Sequence, residues 1–284
     1  MNSDKLNNII KKKSKGNNNL AHHLHQMFFF EHVLMRLEKS KYRNNIILKG
    51  GVLLSSIIGE DLRTTKDIDA TLKSLPLNID TIKNIFEEIL TIDIDDNVNF
   101  EIVSIKDIRL EDEYGGFKIN VKGTFDKIRT NFSIEITTGD IITPREIKYK
   151  YNSIFENKKI NIMAYTVETV ISEKFHSIIT RNITNTRAKD FYDLYILLTE
   201  HRDKINNTNL LKAVKNTFKN RNTSFDIEYC REVITLLEDN TNLENIFINY
   251  QTKLEYVKNV TYIATIAAIK EIVNILENEL VVAN

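Results

Sequence analysis

Along this chain the apolar positions switch between a helical and a strand-like period. From residue 20 to residue 39, Leu20, Leu24, Met27, Phe28, Phe30, Leu34, Met35 and Leu37 recur at helical spacing opposite a charged face. The Phe28-Phe29-Phe30 run reads as packing. Asn45-Ile46-Ile47-Leu48 is short and extended, Gly50-Gly51 opens a helical stretch, and Asp67 to Leu72 alternates with Ile68, Ala70 and Leu72 toward a core. Asn78 stands where it can cap a helix striped by Ile79, Ile82, Ile85, Phe86, Ile89 and Leu90. Alternation then returns three times: at Phe100 and Ile102, reaching Ser104; at Phe117, Ile119 and Val121; and at Phe132, Ile134 and Ile136, where Ser133, Glu135 and Thr137 face the other way.

From Thr166 onward only the helical period remains. Thr166 is a suitable N-cap for a helix reaching Arg181 that buries Val167, Val170, Ile171, Phe175, Ile178 and Ile179. Lys174 interrupts that stripe, so it either snorkels from a packed face or points into a polar cleft. A second helix starts near Arg187 and puts Asp190 and Asp193 on one face near its N-terminus, where carboxylates are favoured. Further amphipathic helices follow, including Val260 to Leu280, with no visible chemistry. Strands followed by helices indicate an α+β domain, residues 1–160, and an α-helical domain, residues 161–284.

Composition narrows the class. With 284 residues and 42% apolar content the chain can bury a substantial core. A lone cysteine, Cys230, excludes an internal disulfide framework and fits a reducing compartment, most simply the cytoplasm. No apolar run approaches the roughly 18 residues of a membrane-spanning helix. The 39 basic and 39 acidic residues balance, but residues 1–50 hold ten Lys or Arg against Asp4, Glu31 and Glu38. The Lys11-Lys12-Lys13-x-Lys15 run reads as a solvated, frayed terminus that gives mild support to RNA binding. His22, His23, His25 and His32 lack a neighbouring Cys or carboxylate set and read as surface imidazoles.

The chemistry concentrates between residues 48 and 69. Glycines let backbone approach a phosphate closely, and free amides with the helix dipole attract anions, so Lys49-Gly50-Gly51 opening a helix can form an anion site. Asp67 and Asp69 are two apart on a strand and project from one face, so both can hold a hard divalent cation. Alone, Asp-Ile-Asp fits a solvated strand end and Gly-Gly a plain turn. Together with Gly59, Arg63 and Thr65 they put an anion site beside a cation site.

Leu48-Lys49-Gly50-Gly51-Val52-Leu53-Leu54, Arg63-Thr64-Thr65-Lys66-Asp67-Ile68-Asp69, Ile134-Glu135-Ile136-Thr137-Thr138-Gly139-Asp140, and Glu173-Lys174 with Lys189-Asp190-Phe191-Tyr192-Asp193-Leu194 stand in a telling order. Over residues 45–198 they resemble the nucleotidyltransferase family that contains the AbiEii and AbiGii toxins of abortive-infection and type IV toxin-antitoxin systems. The resemblance implies a polymerase-β-like nucleotidyltransferase fold with a mixed sheet and a helical C-terminal part. It further implies transfer of a nucleotide from an NTP to an RNA acceptor, with the 3′ end of tRNA expected, and restraint by an antitoxin. Asp67, Asp69 and Glu135 would be ligands of two Mg²⁺ ions, with Glu135 also able to accept the acceptor's proton. Lys49, Gly50, Gly51, Ser55, Arg63 and Thr65 would face the nucleotide; Lys174 would steady the triphosphate and Asp190 would orient that lysine. Two positions depart from the pattern. Val52 stands where a serine is usual, leaving phosphate to amides, Ser55 or Ser56, and Glu135 replaces an aspartate. A small-molecule or protein acceptor, and a nucleotide-binding module without turnover, are the alternative readings.

Overall fold

A computed structural model describes residues 1–59, 65–108 and 115–283. The chain forms two compact units. The first takes the described residues up to 139 together with Ile147–Ala164; the second takes Asp140–Glu146 and the chain from Tyr165 onward.

The first unit contains helices α1 (Ser3–Ser14), α2 (Asn18–Lys39), α3 (Gly50–Ile58) and α4 (Ile79–Leu90). Its strands are β1 (Ile46–Lys49), β2 (Asp67–Leu72), β3 (Val98–Ile108), β4 (Gly116–Phe125), β5 (Ile128–Thr137), β6 (Ile147–Asn152) and β7 (Lys159–Ala164). They make one mixed sheet in the order β3-β4-β5-β2-β1-β7-β6, so the unit is α+β. β2 pairs antiparallel with β1 and parallel with β5, while β4 and β5 form a hairpin around Asp126-Lys127. Strand alternation divides the sheet into two faces. On the apolar face, Leu34 and Leu37 of α2 and Phe86 and Ile89 of α4 close over Leu48, Ile68 and Ile134. Asp67, Asp69, Ser133 and Glu135 occupy the other face.

The α2 helix is more central than its sequence suggests. Its residues from Met27 to Leu37 are all buried. Phe28 lies against Phe125 and Phe155, and Phe29 sits so close to Gly123 that a Cβ there would come within 2.3 Å of its ring. Two expectations need correction. The histidines are not all at the surface: His23 and His32 are buried, and beside them Arg36, only 3% exposed, reaches Asp96 with Nη1 at 2.6 Å and Nη2 at 2.8 Å. The carboxylate partner of His32 is distant in sequence: Asp96 Oδ2 lies 2.6 Å from its Nδ1. Nor is the N-terminus frayed. Asn2 caps α1 by accepting from the Lys5 amide, and Leu6 and Ile10 bury against α2, while Lys11, Lys12 and Lys15 stay exposed.

The Asp96 cluster carries a stability prediction. Burial alone would raise its carboxyl pKa, but hydrogen bonds from His32, Arg36 and the Val98 amide hold it well below the usual carboxylate range. A depressed carboxylate contributes stability that is present above its unfolded pKa and is lost as the pH falls through the folded one. Asp96→Ala leaves the Arg36 charge buried without its partner and is expected to cost about 3–5 kcal/mol. Urea unfolding at pH 7 measures this loss; a change below about 1 kcal/mol would mean the cluster is solvated.

In the second unit, α5 (Val167–Arg181), α6 (Ala188–Glu200), α7 (Asn207–Asn220), α8 (Ile227–Glu238), α9 (Thr241–Gln251) and α10 (Tyr262–Ala283) pack helix on helix. Thr166 caps α5 through the Thr169 amide, and α5 lies against α6 and α7 while α10 lies against α6 and α8. Cys230 is fully buried and its thiol is pushed up to about 12 by burial and then by Asp226, so it stays protonated core. Among the described residues no helix is long and apolar enough to cross a membrane.

Candidate active site

The site is built on paired strands. Register aligns Lys49 of β1 with Asp69 of β2, Asp69 with Glu135 of β5, and Glu135 with Lys118 of β4. Directly opposed residues point to one face, so the pairing itself sets a row Lys49, Asp69, Glu135, Lys118 across four strands. Asp67 joins the row from two residues upstream of Asp69. One carboxylate oxygen from each of Asp67, Asp69 and Glu135 lies within 4.8 Å of the others, and all three residues are half-buried. Such a group of hard oxygen donors fits a divalent cation.

The surroundings hold these carboxylates in position. The Gly51 amide, at the start of α3, donates to Asp69 Oδ2 at 3.2 Å. Gly50 adopts a left-handed φ of +59°, and a Cβ on it would stand 1.9 Å from that same oxygen. The position therefore requires glycine for both backbone and space. The Thr65 hydroxyl donates to Asp67 Oδ1 at 3.3 Å, and Lys118 Nζ contacts Glu135 Oε1 at 2.8 Å. Burial raises the Asp69 carboxyl pKa, and the Asp67 and Glu135 charges add to the rise against the Gly51 amide and Lys49. The cause is like charge gathered in a low-dielectric position, which a cation relieves.

Of the other expected nucleotide-side residues, Lys49 is buried and its Nζ lies 2.7 Å from Thr137 Oγ1. Ser55 is buried and donates to the Gly51 carbonyl at 3.0 Å, while Ser56 shares a 2.8 Å contact with the Tyr149 hydroxyl. Val52 is in the core. Arg63 lies outside the described residues.

In the second unit, Lys174 is inside a polar cluster. Its side chain is 13% exposed and its Nζ lies 2.8 Å from Asp190 Oδ1 and 2.6 Å from Asp193 Oδ2. Both carboxylates are buried, and Arg187 Nε reaches Asp190 Oδ2 at 3.0 Å. The (i, i+3) spacing of Asp190 and Asp193 is what brings both to one ammonium.

Two participants escaped the sequence reading. Asp193 was assigned only to a helix face, although its spacing already matched Asp190. Lys118 lies between Phe117 and Ile119, so alternation sends it to the face of Glu135, but this partnership appears only once the hairpin register is known.

The family model described as nucleotidyl transferase AbiEii toxin, type IV TA system, matches residues 32–258. Among solved structures the chain is similar to JHP933 from Helicobacter pylori, at 12% identity and a TM-score of 0.49, over 91% of this chain and 95% of that one. It is also similar to a proposed nucleotidyltransferase from H. pylori, at 12% identity and a TM-score of 0.46, over 91% of this chain and 96% of that one. No curated protein matches.

Proposed function

The chain belongs to the AbiEii family of nucleotidyltransferase toxins of type IV toxin-antitoxin systems, and on that premise we propose that it transfers a nucleotide from an NTP to an RNA, with the 3′ end of tRNA as acceptor. The observation that carries this reading is the meeting of Asp67, Asp69 and Glu135, within 4.8 Å, beside a helix-opening glycine pair. In the reaction an acceptor hydroxyl attacks the α-phosphorus, and pyrophosphate leaves. Two Mg²⁺ ions, when bound, would lower the pKa of that hydroxyl and neutralise the leaving group.

Each residue then has a defined task. Asp67, Asp69 and Glu135 would hold the ions, and Glu135 can also take the hydroxyl proton directly or through a water. The Gly51 amide and Thr65 hydroxyl fix two of the carboxylates by hydrogen bonds. Gly50, by lacking a side chain, leaves room for Asp69. Within the second unit Lys174 is held by Asp190 and Asp193; by the family resemblance it would steady the triphosphate. Exposed Lys11, Lys12 and Lys15 on and beside α1 support a polyanionic acceptor. A cognate antitoxin restrains the activity, and the cytoplasm supplies NTP, RNA and a reducing environment for Cys230.

Incubation with Mg²⁺, each labelled NTP in turn and total tRNA is expected to label RNA, with signal dependent on the divalent cation. Label that appears only in protein or in small molecules would replace RNA as the acceptor. No label with any NTP would make the chain a nucleotide-binding module.

A further inference from the structure

Three negative charges within 4.8 Å need compensation, and two lysines flank them along the strand row. They are not equivalent. Lys49 is buried and holds Thr137 Oγ1 at 2.7 Å, so its ammonium is committed within the sheet. Lys118 is 37% exposed, and its ammonium is in direct contact with a cluster carboxylate, 2.8 Å from Glu135 Oε1. Both ends of this contact rise from paired strands rather than loops, so its geometry is set by the β4–β5 register.

We propose that Lys118 is the resident counter-ion of the carboxylate site, which a divalent cation displaces from Glu135, so that this lysine sets the cation concentration at which the site fills. The inference rests on the carboxylate cluster being the cation site of the nucleotidyltransferase reading. A dication arriving among these oxygens meets an ammonium already bound to one of them, and the two positive charges repel at short range. Breaking the Lys118–Glu135 contact frees the third carboxylate and removes that repulsion together. The lysine can leave because its side chain is part exposed and its four-carbon stem is flexible. A cross-strand pair that served only the sheet would behave differently: its loss would lower stability slightly and leave cation affinity unchanged.

Mn²⁺ serves as a probe whose binding is read by electron paramagnetic resonance, without NTP and without turnover. Lys118→Met is expected to bind Mn²⁺ about fivefold more tightly than the parent or better, since one positive charge next to the site is gone. Lys118→Arg keeps the charge and is expected to stay within about twofold of the parent. Thermal melts in EDTA identify any variant that fails to fold, and Lys118→Gln then replaces Lys118→Met as the charge-free variant. Affinity in the charge-free variant that equals or falls below that of the parent overturns the proposal, including the case in which neither binds. The underlying site is tested separately: Asp69→Asn that binds Mn²⁺ with NTP present as tightly as the parent does would place the cation elsewhere, whatever Lys118 does.

Discussion

Asp69→Ala is expected to reduce nucleotide transfer by on the order of 10³-fold or more, since a bound cation contributes several kcal/mol to the transition state and each 1.36 kcal/mol is tenfold. Asp69 is the centre of the strand row: it pairs in register with Lys49 on one side and Glu135 on the other, and it accepts the Gly51 amide. The fold is expected to survive the change. The carboxylate is held above its normal pKa by burial and by Asp67 and Glu135, so ionised Asp69 is a cost to the cation-free protein and its removal relieves like-charge repulsion. Labelling rates and thermal melts on the same preparation separate the two effects. A variant that melts like the parent yet transfers within tenfold of it would show that the chemistry is performed elsewhere.

Gly50→Ala is the second large effect, and it acts without touching a charge. The added methyl would stand 1.9 Å from Asp69 Oδ2 and 2.5 Å from its Cγ, so the carboxylate or the start of α3 must move. The φ of +59° adds about 1–2 kcal/mol of backbone strain for an L-residue. Displacing a metal ligand by about 1 Å is expected to cost about 10²-fold in transfer. Because the methyl also pushes on the α3 N-terminus, unfolding stability is expected to fall with activity, unlike in Asp69→Ala. Unchanged cation affinity and rate in Gly50→Ala would mean that the glycine serves a turn and not the site.

How far the sequence carries this reading depends on what each signal measures. The carboxylate face of β2 and β5 was legible because alternation is local: Ile68 and Ala70 turned inward oblige Asp67 and Asp69 to turn outward, and Ile134 and Ile136 do the same for Glu135. That these two strands are neighbours is a tertiary fact, set by a parallel pairing over more than sixty residues of separation. The caps at Asn78 and Thr166 were legible for the same local reason. β6 and β7 were missed, although Ile147, Tyr149 and Tyr151 alternate, as do Ile160, Ile162 and Ala164, because lysines and asparagines between them resemble a polar linker. Lys118 was missed because its partner depends on register, which the Asp126-Lys127 turn fixes by setting Phe125 opposite Ile128. The buried His32, Arg36 and Asp96 cluster joins α2 to residues sixty positions away, and no periodicity predicts such a pair.

Anomalous scattering from Mn²⁺ in crystals grown with a non-hydrolysable NTP analogue tests the central claim most directly. The account predicts manganese peaks bounded by the carboxylates of Asp67, Asp69 and Glu135. Peaks at other residues, with these three carboxylates free of metal, would contradict it.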